Sequence, residues 1–238
     1  MIRVLYRISD GGNAKRKLPN ATKQRCLENA LEVFGKEQVR VFADNCQAGT
    51  LAMLEGLGVE MEQIALGNAM SWRYVAEYAL RHFADPEMVY FLEDDYFHLP
   101  DSSRALAEGL QIAHYATLYD HPDKYVDVEN NGVNPYVKNG AEDTRVWFTG
   151  TSHWKQTNST TMTFATRVQT LREDKAVWWE FTSKGFPNDF GAFQCLQGLG
   201  SWENRILGKK RILVSSIPGL STHAEVAWLS PRQDWNAF

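Results

Sequence analysis

The chain reads as an α/β protein with a mainly parallel central sheet and helices on both faces, and three observations predict this. Strand-like and helix-like segments alternate through about the first hundred residues, which is the rhythm of successive strand–helix–strand units. Residues 88–92 (Met-Val-Tyr-Phe-Leu) are continuously apolar, as a central strand buried on both faces must be. The strand-like runs end in polar residues, Ser9-Asp10, Asp44-Asn45 and Glu93-Asp94-Asp95, at the carboxyl ends where such sheets hold their ligands.

The elements follow in order. Val4, Tyr6 and Ile8 alternate with Leu5 and Arg7 in a first strand that ends in the turn-forming Asp10-Gly11-Gly12-Asn13. A helix is expected from about Thr22, with Cys26, Leu27, Ala30, Leu31 and Phe34 on one face and Gly35 as its stop. Residues 39–43 form the second strand. Thr50 caps a short helix that ends at Gly58, and residues 59–64 make a third strand. Ser71 opens the clearest helix, because Trp72, Val75, Ala76, Ala79, Leu80 and Phe83 keep the 3.6-residue period. The apolar fourth strand leads into the three carboxylates, and Pro100-Asp101-Ser102 starts another helix.

The second half differs. Residues 121–144 are polar and rich in Asn, Gly and Pro, which reads as a long loop or an insertion. Residues 146–149 and 160–165 read as two strands around a Ser/Thr/Asn-rich stretch. A helix from about Thr166 leads to Trp178-Trp179, Pro187 stands in the first turn of the next helix, and residues 211–216 make a last strand before His223. With no linker or repeat, one domain spanning residues 1–238 in two unequal lobes is expected.

Composition narrows the function classes. The chain has 238 residues, 44% of them hydrophobic, enough for a full core. Its net charge of −4 lacks the basic footprint of a nucleic-acid binder. Cys26, Cys46 and Cys195 are odd in number and widely spaced, which suggests reduced thiols rather than a disulfide or zinc framework. No apolar run reaches the ~18 residues of a membrane span and no signal-like segment stands out, so a cytoplasmic protein is expected.

The strongest chemical signal is Glu93-Asp94-Asp95. Three adjacent carboxylates repel and raise one another's pKa, a cost that a divalent cation removes. Such hard oxygen ligands suit Mg²⁺ or Mn²⁺ held partly by protein and partly by a substrate phosphate. The bland reading is a solvated turn. Asp10-Gly11-Gly12-Asn13-Ala14-Lys15-Arg16-Lys17 also invites a phosphate-cradling reading, although no Walker-type pattern is present and a mobile surface turn explains it as well.

Phe91-Leu92-Glu93-Asp94-Asp95 resembles the D-x-D region of nucleotide-sugar glycosyltransferases of the GT-A fold, with Glu93 in place of the first Asp. Residues 39–44 are similar to the second strand of that family, whose terminal Asp recognises the nucleotide base, and residues 67–79 resemble its "G…aRN…A" segment, with Arg73 at the Arg and Tyr74 in place of the Asn. The motif-bearing match covers residues 1–105 and beyond them rests on isolated positions. The resemblance, nearest to inverting family-two-like enzymes, implies a nucleotide-binding lobe over residues 1–105 and a smaller C-terminal acceptor lobe over 106–238. It implies a metal held by Asp95, Glu93 and His223, and a nucleotide-diphosphate sugar donor contacted by Ser9, Asp10, Asp44, Arg73 and Asp94. It further implies Asp189 as general base and Trp178 and Trp179 as a stacking face for a saccharide or other hydroxyl acceptor. Each has a plainer alternative: a lone His is often a hydrogen-bonded structural residue, Asp189 suits a helix first turn, and at least one of the two tryptophans belongs to the core.

The implied activity is metal-dependent glycosyl transfer with inversion. A sugar nucleotidyltransferase and a non-catalytic nucleotide- or carbohydrate-binding domain are the alternatives.

Overall fold

A computed structural model of the chain describes residues 1–11, 16–231 and 233–238. The first half follows the expected alternation: β1 (Ile2–Ser9), α1 (Lys23–Phe34), β2 (Val39–Asp44), α2 (Ala48–Leu57), β3 (Glu60–Ile64), α3 (Asn68–His82), β4 (Met88–Glu93), β5 (Tyr96–His98) and α4 (Ser102–Ile112). The second half contributes β6 (Tyr115–Thr117), β7 (Val137–Lys138), β8 (Ala141–Glu142), β9 (Val146–Phe148), β10 (His153–Gln156) and β11 (Phe164–Arg167). Four helices follow, α5 (Val168–Glu173), α6 (Lys175–Phe181), α7 (Asp189–Gln197) and α8 (Trp202–Leu207), and then β12 (Leu213–Ile217) and β13 (Ser221–His223).

Nine strands form one sheet in the order β3-β2-β1-β4-β11-β6-β12-β10-β9. The first four are mutually parallel, β11 runs against its neighbours β4 and β6, β12 is parallel to β6, and β10 runs against both β12 and β9. The sheet is therefore mostly parallel, as the sequence predicts.

Strand alternation sorts the core into two layers. Val4, Tyr6 and Ile8 of β1 and Tyr90 and Leu92 of β4 pack with Leu27, Ala30 and Phe34 of α1 and Leu106 and Leu110 of α4. Leu5, Val89 and Phe91 face the opposite way, onto Trp72, Val75 and Ala79 of α3 and Trp178, Phe193 and Leu196 of α6 and α7. Helices thus cover both faces. No helix among the described residues is long and apolar enough to cross a membrane.

Several boundaries differ from expectation for identifiable reasons. Thr22 caps α1 by accepting from Arg25 N at 3.1 Å, and Gly35 ends it, as expected. Helix α2 begins two residues before Thr50, and α3 begins at Asn68 rather than Ser71; Thr50 and Ser71 lie inside the first turns, their hydroxyls donating to Asp10 Oδ1 and Asn68 O. Strand β10 escapes a hydrophobicity reading because its inward Lys155 is buried against Asp120 and Glu142, 3.0 and 3.5 Å away. Residues 160–163 precede β11 as largely buried but irregular chain. The polar 121–144 segment is largely exposed but anchored at a few points: Lys124, Asn134 and Glu142 are buried, and β7 pairs with β8. Pro187 precedes α7, whose cap is Asn188.

Candidate active site

The chain leaves β1 toward β2 and β3 on one side, then returns through α3 to β4 on the other. The switch falls between β1 and β4, where connections to opposite faces leave a crevice beyond the strand ends. A cavity of about 520 Å³ lies there, lined by Arg7, Ser9, Asp10, Lys17, Lys23, Asp44, Asn68, Glu93, Asp94, Asp95, Phe186, Asp189 and His223 among others. Eight of the residues expected at the site share this one cavity.

The three consecutive carboxylates have three different environments. Glu93 meets the guanidinium of Arg7 at 2.9 Å, and Arg7 also donates to Asn68 O and Ser71 Oγ at 3.0 Å each. Asp94 Oδ2 accepts from Ser9 N at 3.1 Å, and burial together with the charge of Asp95 pushes its carboxyl above the usual carboxylate range. Burial also opposes ionisation of Asp95, but His223 and Lys17 hold its carboxyl well below the usual range. His223 Nε2 and Lys17 Nζ each lie 2.9 Å from Asp95 Oδ2.

His223 is 128 residues from Asp95 in sequence. Strand β13 brings it there by pairing antiparallel with β5, His223 opposite Tyr96. Ala224 N donates to Asp95 O at 2.8 Å, and the imidazole stacks on Tyr96 with ring centroids 5.1 Å apart.

Asp44 and Asp10 both line the cavity while bracing its walls. Asp44 Oδ1 accepts from Leu66 N (2.7 Å) and Gly67 N (3.2 Å), which sets the entrance to α3, where Gly67 has φ +78°. Asp10 accepts from Lys23, from Thr50 Oγ1 at 3.0 Å and from Gln47 N at 2.7 Å. Burial opposes its charge, yet these donors lower its pKa. Ser9 Oγ accepts from Gly11 N at 3.1 Å. The Gly12–Lys15 part of the glycine-and-lysine segment lies outside the described residues.

Asp189, the first residue of α7, lines the same cavity from the second half of the chain. Burial, reinforced by the charge of Glu93, raises its carboxyl to about 6 despite the N–H that Phe190 donates to Oδ1 at 2.7 Å. Asp95 and Asp189 therefore hold their protons very differently within one cavity.

Three expected residues stand elsewhere. Arg73 donates through Nε to Thr182 Oγ1 at 2.8 Å and through Nη2 to Trp179 O, tying α3 to the end of α6 outside the cavity lining. Trp178 has no exposed surface: it stacks on Phe164 at 4.9 Å and donates to Tyr115 OH at 3.1 Å, so it is core and offers no face to an acceptor. Trp179 lies beside Arg73 and Lys175, at 5.7 and 4.8 Å from the ring, and not in the cavity lining. The sequence placed Arg73 on a helix and Trp178 and Trp179 at the end of another, but which helix face meets the crevice depends on packing.

Sequence reasoning missed Arg7, Lys23 and Asn68 as lining residues, whereas Lys17 belongs to the segment that invited a phosphate-cradling reading. Arg7 carried a signal: a charge buried inside an otherwise apolar strand needs a counter-charge, and Glu93, its half-buried neighbour in the β1–β4 register, supplies it. Lys23 had only its place after β1.

The donor chemistry fits a hard cation in part. Among the described residues no group of three or more His, Cys, Asp and Glu is gathered as a metal site. Asp95 and His223 are nevertheless adjacent, and Mg²⁺-type ions are commonly held by one or two carboxylates with the remaining positions filled by water and substrate phosphate. Glu93 is committed to Arg7.

No protein-family model and no curated protein sequence matches the chain. In structure it is similar to a cytidylyltransferase from Leptospira borgpetersenii (13% identity, 74% of this chain and 63% of that chain covered, TM-score 0.40). It is also similar to a nucleotidyl transferase from Methanothermobacter (11%, 91% and 87%, TM-score 0.48) and to the galactosyltransferase LgtC, solved with donor and acceptor sugar analogues (11%, 81% and 69%, TM-score 0.40). The chain thus spans 63% of the length of the cytidylyltransferase. At such identities and TM-scores the likeness says nothing about chemistry, which rests on the site.

Proposed function

We propose that the chain is a nucleotide-dependent transferase that moves a sugar from a nucleotide-diphosphate sugar to an acceptor hydroxyl with inversion. The observation that carries this reading is geometric: one cavity beyond the β1 and β4 ends holds Asp95, paired with His223 and Lys17, together with Asp44 at the end of β2 and Asp189 at the start of α7, and the lowered Asp95 and raised Asp189 carboxyls agree with it. Environments that push two titratable groups apart mark the electrostatic and the proton-transfer roles.

In this reading Asp44 orients the base through Oδ2, since its protein donors fall on Oδ1. Lys17 and Lys23 neutralise the diphosphate. Asp95 and His223 would hold Mn²⁺ or Mg²⁺, which supplies charge stabilisation for the departing nucleoside diphosphate. Asp189 takes the proton of the acceptor hydroxyl as it attacks the anomeric carbon, a contribution of typically ~10²–10⁴-fold. A carboxyl with a pKa near 6 is ionised at neutral pH and basic enough for that transfer. Attack from the face opposite the leaving group inverts the anomeric configuration.

One observation favours a second reading, a sugar nucleotidyltransferase: Lys17 and Lys23, both from the segment after β1, line the cavity where a triphosphate would want cations. A thermal-shift panel of nucleotide sugars and nucleoside triphosphates, each with and without Mn²⁺, separates the readings, because the true ligand raises the melting temperature by mass action. Release of nucleoside diphosphate from a sugar donor supports transfer. Release of pyrophosphate from a triphosphate replaces that reading with the second, and binding without turnover leaves a binding domain.

A further inference from the structure

Lys17 occupies an unusual position. Its ammonium is on the same oxygen, Asp95 Oδ2, that faces His223 Nε2, each at 2.9 Å. The side chain is 31% exposed, whereas its backbone is fixed on both sides: Leu18 N donates to Ala224 O at 2.9 Å and Val226 N to Arg16 O at 3.0 Å. Any displacement of the ammonium is therefore a side-chain movement about a pinned backbone, within the same cavity.

A divalent cation at Asp95 and His223 would meet this ammonium at contact distance, and like charges so close are strongly unfavourable. The cation binds well only if the ammonium leaves. An incoming polyphosphate in the same cavity is the natural acceptor of the charge released from Asp95.

We infer that Lys17 is a phosphate-binding residue that stands in for the cation in the ligand-free cavity, moving from Asp95 to the phosphates as a nucleotide enters and thereby coupling cation and phosphate binding. The inference rests on the proposed nucleotide site and names the residue that links its two charged ligands. Such coupling is reciprocal: phosphate that draws Lys17 away tightens cation binding by the factor with which the cation tightens phosphate binding.

The test uses the full chain at low salt, with Mn²⁺ alone followed by electron paramagnetic resonance and pyrophosphate alone, in chelator, followed by calorimetry. Lys17→Met keeps the apolar stem and removes the charge. It should bind Mn²⁺ alone about tenfold tighter than wild type (~1.4 kcal/mol) and pyrophosphate about tenfold more weakly. Lys17→Arg should bind both as wild type does, and adding Asp95→Asn to Lys17→Met should abolish the gained Mn²⁺ affinity. Unchanged or weaker Mn²⁺ binding by Lys17→Met, or unchanged pyrophosphate binding, overturns the role of Lys17. Failure of wild type and every variant to bind either probe overturns the proposed nucleotide site as well.

Discussion

Replacing Asp189 with Asn separates its proposed role from a helix-start role because the two make opposite predictions for stability. The raised carboxyl means that folding penalises its charged form. The rise from 3.8 to about 6 corresponds to a ceiling of about 3 kcal/mol at ~1.4 kcal/mol per pH unit, and the partial exposure of the side chain reduces this to ~1–2 kcal/mol. The sign follows from linkage. Below about pH 4 folded and unfolded states both hold the proton and no penalty exists; between about pH 4 and 6 only the native state holds it, so wild-type stability falls as pH rises, and above 6 the penalty is complete. The substituted amide carries no such charge and keeps an oxygen for Phe190 N. The variant should therefore be more stable than wild type at pH 7.5, by ~2–8 °C in melting temperature, with the gap shrinking at pH 5. Turnover should fall by ~10²–10⁴-fold, and the rising limb near pH 6 in the wild-type rate profile should vanish. A variant less stable at pH 7.5, a gap independent of pH, or near-normal turnover would return Asp189 to the helix-start role.

Asp95→Asn should abolish the Mn²⁺-dependent part of nucleotide-sugar binding in calorimetry while leaving circular dichroism unchanged; retained dependence would place the cation elsewhere. Trp178→Ala should cost ~3–5 kcal/mol in urea unfolding, as large core truncations do, with acceptor KM little changed in the fraction that remains folded; a selective rise in acceptor KM at undiminished stability would contradict its place in the core. Arg7→Met should destabilise by ~1–3 kcal/mol by leaving the half-buried Glu93 without its counter-charge, and Arg7→Met with Glu93→Gln should recover most of that in denaturant melts. A double variant no more stable than Arg7→Met would mean that the guanidinium matters through Asn68 and Ser71 instead.

The sequence by itself determined the first half of the sheet and the level of the site. The alternation of Val4, Tyr6 and Ile8, the unbroken Met88–Leu92 run and the period through Trp72, Val75 and Ala79 are local consequences of side-chain geometry and needed no partner to be read. The same holds for Ser9, Asp44 and Asp94, because a strand's end marks the crevice of a parallel sheet. Only the tertiary structure decided what each carboxylate faces. Asp95 meets His223 through the β5–β13 pairing and Lys17 through the bridge between residues 17 and 225, and Glu93 is taken by Arg7 across the β1–β4 register. It also turned Trp178 into the core and tied Arg73 to Thr182, since a helix period fixes which residues share a face but not what that face meets. Strand β10 stayed hidden because the partners that allow Lys155 to be buried, Asp120 and Glu142, come from other parts of the chain. A buried charge is legible only together with its counter-charge, and sequence distance conceals that partner.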